Sequence, residues 1–271
     1  MSYIGHIRGR VHLLRAGLYL TAAFLAVLPV HGYSQDSRPI SVYASETLRL
    51  VLEDLGPLYE ARTQTPIEVF YSKSSDLARR IASGAPVDLF VTGDIEWATW
   101  LQAQGFVRAE DRLIFAIDRL VMIAPENSPV EPVPAVELLL SEWRNSEELL
   151  GLADPERNGA GLRARNVLTA FQDIVGPLDA LEDRLALAED RAVLKRLVKR
   201  GELGLAITYL TEAKSADGVK VVARFDPADH QPILAVAART KLGNAEADSF
   251  LAFLGSPEAQ TVLMRAGFET P

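Results

Sequence analysis

The sequence lacks cysteine, contains little histidine and has fewer basic than acidic residues. Without cysteine the chain forms no disulfide and offers neither a thiolate nucleophile nor a cysteine metal site. Only His230 lies outside the first 34 residues, so a histidine cluster around a metal is excluded from the rest of the chain. The formal charge is −8 at pH 7. An acidic chain argues against nucleic acid, because that binding depends on basic residues that neutralise phosphates.

Motifs that would activate a nucleophile are also missing. Neither G-x-S-x-G nor S-x-x-K occurs in the sequence. A serine triad would have to pass through His230, and no surrounding motif supports one. The sequence therefore favours a protein that is not an enzyme.

The first 34 residues have the composition of a secretory signal peptide. Three arginines precede an uncharged run, residues 16–30, and the small residues Gly32 and Ser34 follow. As a helix that run would span roughly 22 Å, short of a hydrocarbon core of ~30 Å. We expect cleavage after Ser34, with an uncleaved anchor as the alternative. Loss of three arginines and no acid would change the formal charge from −8 to −11.

Beyond this segment, short apolar runs alternate with segments of helical spacing. Residues 47–61, for example, place apolar side chains at intervals of three and four, as an amphipathic helix does. The alternation predicts doubly wound α/β structure. The predicted strands are residues 40–44, 67–71, 88–92, 120–124, 204–209, 219–223 and 233–238.

Three junctions between a strand and a helix concentrate small and hydroxyl residues. They are residues 45–47, 72–75 and 158–161. Ligands of open α/β sheets bind at the carboxyl ends of the strands, and helices that start there present unpaired N–H groups to anions. The alternative is that serine and threonine only cap these helices. Composition alone leaves the two readings open.

One segment carries a specific resemblance. Residues 77–94 read LARRIASGAPVDLFVTGD, which closely resembles the LA..I..GAPADLF.SAD signature of the periplasmic molybdate-binding proteins of ATP-driven importers. The likeness extends over about residues 40–268. Weaker matches follow in the same order, at residues 153–161, 188–190, 207–209, 218–223, 256–260 and 267–268.

The resemblance implies two doubly wound α/β lobes joined by a two-segment hinge, the type II periplasmic-binding-protein fold. Residues 35–119 and 223–271 would form the first lobe, and residues 120–222 the second. The ligand would be a tetrahedral oxyanion, molybdate or tungstate, held without cofactor or direct protein–metal bonds. The expected partner is the membrane permease of an ABC importer, and the protein is expected to be a periplasmic monomer. Sulfate, phosphate or an organic anion is the alternative ligand.

In this family, uncharged donors hold the anion. A fully ionised oxyanion has only acceptors, so hydroxyl and main-chain N–H donors complete its shell, and a protonated species would leave a buried donor unpaired. Carried over by position, the predicted ligand-binding residues are Thr47, Ser74, Ala160, Arg191 and Tyr209.

Two of these positions depart from the family pattern. Thr47 stands where serine is usual, and a shift in alignment would place Ser45 there instead. Arg191 stands where valine is usual. Its side chain either faces solvent, leaving only the main-chain N–H for the ligand, or enters the cleft and adds a fixed cation that changes the anion preference.

Overall fold

The computed structural model describes residues 38–139, 143–215 and 217–271. The predicted signal peptide and its cleavage after Ser34 lie outside these residues. The described residues all belong to a single structural unit. Within them, no helix combines the length and apolar character needed to cross a membrane.

Two separate five-stranded sheets organise this unit. The first has the order β2-β1-β3-β10-β4. Strands β1, β2 and β3 are parallel, whereas β10 runs antiparallel to both β3 and β4. Its strands are β1 (Ile40–Ser45), β2 (Ile67–Ser72), β3 (Leu89–Thr92), β4 (Val107–Asp118) and β10 (Ile233–Thr240). We call the part of the chain built around this sheet the first lobe.

The second sheet has the order β7-β6-β8-β5-β9. It repeats the arrangement of the first sheet. Strands β6, β7 and β8 are parallel, whereas β5 runs antiparallel to both β8 and β9. Its strands are β5 (Leu120–Pro125), β6 (Leu150–Ala153), β7 (Leu185–Ala188), β8 (Leu205–Tyr209) and β9 (Val219–Arg224). The part around it is the second lobe.

Helices cover the sheets and enclose the core of each lobe. The α-helices are α1 (Arg49–Thr63), α2 (Ser74–Ala82), α3 (Ile95–Ala103), α4 (Ala135–Leu138), α5 (Gly159–Ala170), α6 (Gln172–Val175), α7 (Arg191–Lys199), α8 (Leu210–Lys214), α9 (Glu246–Leu254) and α10 (Pro257–Ala266). Short 3-10 helices occur at Glu46–Leu48, Leu178–Arg184 and Pro227–Asp229. Each lobe has two apolar clusters, which share the residues of its sheet between them. The prediction of two α/β lobes is confirmed.

The chain passes between the sheets twice. The first crossing is at Arg119, between β4 and β5, and the second lies between the end of β9 and the start of β10. The Arg119 guanidinium binds Glu269, whose main chain pairs with Ile117 at the end of β4. The predicted division at 119/120 and 222/223 stays a prediction, and β9 itself continues to Arg224.

Three strands do not appear among those predicted from the sequence. Strand β4 begins with a polar stretch, and its buried and exposed residues do not alternate along its length. Strands β6 and β7 have four residues each, too few for periodicity to separate a strand from a helical turn. Pairing with neighbouring strands defines these three elements.

Candidate functional site

The first predicted contributor lies where β1 ends. Thr47 is exposed in the 3-10 turn after β1, and its hydroxyl lies 3.0 Å from the hydroxyl of buried Ser45. The turn also approaches the end of β3, because a Cβ built on Gly93 would lie 3.1 Å from Thr47 Oγ1. Both candidates for this position therefore belong to one hydrogen-bonded pair at the carboxyl end of the sheet.

Ser74 lies beside the same edge, at the first turn of α2. Its side chain is buried, and its hydroxyl accepts a hydrogen bond from Thr92 Oγ1 at 3.0 Å. It donates to Asp94 Oδ2 at 3.2 Å. Since a hydroxyl has one proton, Ser74 can serve an external oxyanion only by turning that proton away from Asp94.

In the second lobe, Tyr209 ends strand β8 and is 7% exposed. Its hydroxyl accepts a hydrogen bond from Arg163 Nη1 at 3.1 Å. Burial raises the pKa of Tyr209 to about 12, against the opposing effect of the Arg163 charge. The phenol therefore keeps its proton at physiological pH. Because Arg163 serves the oxygen as a donor, that proton is available to an acceptor.

Arg191 begins helix α7, which Asp190 caps by accepting from the Val193 N–H at 2.8 Å. Its side chain extends toward the end of β8. The guanidinium carbon of Arg191 lies 5.1 Å from the centroid of the Tyr209 ring, within the range of a cation–π contact. A fixed positive charge thus lies beside the phenol.

Ala160 is buried in the first turn of α5. Its main-chain N–H donates to Asn158 Oδ1 at 3.0 Å, an N-cap interaction. The donor that the resemblance assigns to the ligand therefore has an intramolecular partner here. The neighbouring Gly161 packs directly on strand β6, because an added Cβ would lie 1.9 Å from the Ala153 carbonyl oxygen.

The two lobes meet at Gly159. A Cβ built on this residue would lie 2.9 Å from Arg163 Nη1, 3.1 Å from Asp94 Oδ1 and 3.7 Å from the Tyr209 hydroxyl. Asp94 belongs to the first lobe and the other groups to the second. A residue with a side chain would therefore crowd polar groups of both lobes, and glycine leaves room for them to approach.

Sequence reasoning missed Arg163, the most buried cation of the site, at 5% exposure. From α5 it contacts two carboxylates of the first lobe, with Nη1 at 3.8 Å from Asp94 Oδ1 and Nη2 at 3.5 Å from Glu96 Oε1. Its position three residues after Ala160 on one helix could have indicated a shared face. Asp94 is hydrogen-bonded to Ser74 in the first lobe and lies near Arg163, which is hydrogen-bonded to Tyr209 in the second. Predicted residues of the two lobes are therefore linked through these two side chains.

The fold and this arrangement define a class of binding protein, and comparison with known proteins identifies the family. The chain belongs to the bacterial extracellular solute-binding proteins, whose family model matches residues 40–269. It is 31% identical over 236 residues to the molybdate-binding protein ModA of Haemophilus influenzae, covering 86% of this chain and 90% of that protein. The Escherichia coli ModA is 30% identical over 239 residues, with the same coverage.

A solved structure agrees with this assignment at the level of the fold. The substrate-binding domain of a putative molybdenum ABC transporter from Clostridium difficile superposes with a TM-score of 0.76 at 22% identity. The match covers 86% of this chain and 99% of that one.

Proposed function

We propose that this protein captures a tetrahedral oxyanion, molybdate or tungstate, between its lobes and delivers it to the permease of an ABC importer. The observation that supports this proposal most directly is a set of uncharged donors on both sides of the contact between the lobes around Gly159, which we call the contact zone. Ser74 and Thr47 lie on the first lobe, and Tyr209, with its pKa raised to about 12, lies on the second. The names of the Haemophilus and Escherichia relatives support the choice of anion.

Neutral donors suit a fully ionised oxyanion. Each oxygen of such an ion only accepts hydrogen bonds, so a hydroxyl that keeps its proton is a matched partner. A protonated anion would present its own O–H to a group that also donates, and one buried polar group would stay unpaired. We infer that the binding residues are Thr47, Ser74, Ala160, Arg191 and Tyr209.

The remaining assignments belong to the same proposal. The mature chain begins near Gln35 after export to the periplasm and acts there as a monomer without cofactor or catalytic activity. Its first lobe consists of residues 35–119 and 223–271, and its second of residues 120–222. The acidic charge of −8 supports the view that nucleic acid is not a partner.

A second candidate ligand has one specific observation in its favour. Arg163 and Arg191 bring two guanidinium groups to Tyr209, one hydrogen-bonded to its hydroxyl and one over its ring. Guanidinium groups match the geometry of phosphate and carboxylate oxygens. Sulfate, phosphate or an organic anion is therefore the alternative to molybdate.

Calorimetry on the chain without residues 1–34 separates these candidates. Molybdate, tungstate, sulfate and phosphate are titrated under one set of conditions. We expect one site per chain for molybdate or tungstate and much weaker binding of the smaller ions, which cannot reach all the donors together. Equal or tighter binding of sulfate would reject molybdate as the ligand and favour the alternative.

A further inference from the structure

The contacts of Arg163 extend to both lobes at once. Its Nη1 donates to the Tyr209 hydroxyl within the second lobe at 3.1 Å. The same guanidinium lies within 3.8 Å of Asp94 and 3.5 Å of Glu96, both from the first lobe. Since 6% of its side chain is exposed, separation of the lobes would remove both carboxylates from a charge that is now buried.

A buried cation needs compensation. Removing a guanidinium from water is unfavourable unless opposite charges and hydrogen bonds replace the lost hydration. Here Nε has no hydrogen-bond partner, so the replacement depends on Nη1 and Nη2. Those two atoms contact Tyr209, the Gly159 carbonyl and the carboxylates across the cleft. Closure of the lobes and placement of Arg163 are therefore coupled.

The hydrogen bond from Arg163 also fixes the role of Tyr209. A phenol oxygen that accepts from a guanidinium directs its own proton to a different acceptor. With the pKa of Tyr209 raised to about 12, this proton stays on the oxygen. An anion in the contact zone would meet a hydroxyl already set to donate, and this reduces the ordering required at binding.

We propose that Arg163 is the positioning residue of the anion site. Asp94 and Glu96 hold it when the lobes are together, and it holds Tyr209 with the hydroxyl proton directed to the ligand. This inference rests on the proposed function only in assuming that an anion binds at this zone. Arg163 would therefore raise anion affinity in two ways, through closure and through Tyr209.

Two variants separate these contributions. Arg163→Met removes both, whereas Glu96→Gln removes one cross-cleft charge and leaves the Arg163–Tyr209 hydrogen bond. Arg163→Lys keeps the charge without the planar fork. Arg165→Met is the matched control, because Arg165 is on the same helix but pairs with Glu156 of its own lobe at 3.7 Å.

Lobe closure can be measured without reference to any ligand. Because the sequence has no cysteine, Ala103→Cys and Ala192→Cys place one spin label on an exposed site of each lobe. We expect Arg163→Met and Glu96→Gln to lengthen the mean distance between labels without ligand. Arg165→Met should leave it unchanged. High salt should lengthen it in the parent, since the Glu96 side chain is 58% exposed.

Binding of molybdate, followed by calorimetry, gives the second readout. We expect Arg163→Met to weaken it at least tenfold, Arg163→Lys less, Glu96→Gln two- to fivefold, and Arg165→Met not at all. Parent-like distance and affinity in Arg163→Met would overturn the proposal. If Arg163→Met does not fold, an unchanged distance in Glu96→Gln would overturn it instead. Expected distances without molybdate binding by the parent would reject molybdate as the ligand and leave the Arg163 contact with the first lobe intact.

Discussion

Single hydroxyl groups are the smallest features on which the proposed site depends. We expect Ser74→Ala and Tyr209→Phe each to weaken anion binding by about 1–3 kcal/mol, because each leaves a ligand oxygen without a donor in a buried zone. Calorimetry measures the loss. Ser83→Ala is the control, since that hydroxyl is exposed at the far end of α2 and bonds to the Arg79 carbonyl. Parent-like affinity in both site variants would show that the site is elsewhere.

The guanidinium of Arg191 gives a second prediction at this scale. Because it lies over the Tyr209 ring, we expect Arg191→Val to weaken anion binding about tenfold, or about 1.4 kcal/mol. The order of preference among anions should change as well, since a fixed charge near the ligand is lost. Arg196→Val, from an exposed position on the same helix, is the comparison. An unchanged affinity and ranking would mean that only the Arg191 main chain contributes.

The sequence predicts part of this site and misses the rest for a physical reason. Thr47, Ser74 and Tyr209 follow strands or start helices, so local pattern and family resemblance together point to them. The direction of Arg191 depends on where β8 places Tyr209, which only the folded chain determines. Arg163 lies inside a helix, and its partners Asp94 and Glu96 are about 70 residues earlier in the sequence. No local pattern connects residues so far apart.

At the scale of elements, the end of β4 contains a titratable group at the first crossing. Burial raises the pKa of Asp118 to about 6, although hydrogen bonds from Thr211 and the Arg119 N–H oppose the rise. A carboxyl has a pKa near ~3.9 when unfolded. The folded state therefore binds this proton more tightly, and the resulting stabilisation is present below about pH 4 and lost as pH rises through 6.

Asp118→Asn should remove this pH dependence. We expect the free energy of unfolding of the parent, relative to the variant, to fall by on the order of 1–3 kcal/mol between pH 4 and pH 7. Denaturant titrations at pH 4, 5, 6, 7 and 8 would measure it. Asp54→Asn, at an exposed position on α1, is the control. A constant difference between parent and Asp118→Asn across this range would contradict the assignment.

Two helical glycines, Gly161 in α5 and Gly56 in α1, are expected to respond in opposite ways to substitution by alanine. Gly161→Ala would place its Cβ 1.9 Å from the Ala153 carbonyl oxygen, so we expect a loss of about 1–3 kcal/mol or more in the free energy of unfolding. Gly56→Ala, inside α1, meets nothing within 4 Å and should stabilise by about 0.5–1 kcal/mol. Thermal and denaturant unfolding test both. Similar stabilities for the two variants would refute the close contact.

The elements themselves differ in how well they can be predicted. Strands β3 and β8 are uninterrupted buried runs, which sequence patterns recognise. Strand β4 is different because its polar first half is stabilised by pairing along β10. Its existence thus depends on residues more than 100 positions away.

At the scale of the whole molecule, the predicted site residues all lie within the described chain. Deleting residues 1–34 leaves in place the contacts between the lobes that involve Gly159 and Arg163, so we expect parent-like anion affinity from the shortened protein. The exported protein should begin at or near Gln35. Intact-mass measurement on periplasmic protein, followed by calorimetry, tests both statements. An intact Met1 on a membrane-bound product would disprove the cleavage.

The position of β10 has a consequence for biosynthesis. A chain delivered from its amino end supplies every strand of the second sheet before residue 233, so that sheet can be completed from one continuous stretch. The first sheet cannot, because β3 and β4 pair through β10 rather than with each other. Until residues 233–240 arrive, β3 and β4 present unpaired backbone edges, to which a strand of another molecule can add. The nascent first lobe is therefore exposed to aggregation until β10 has been made.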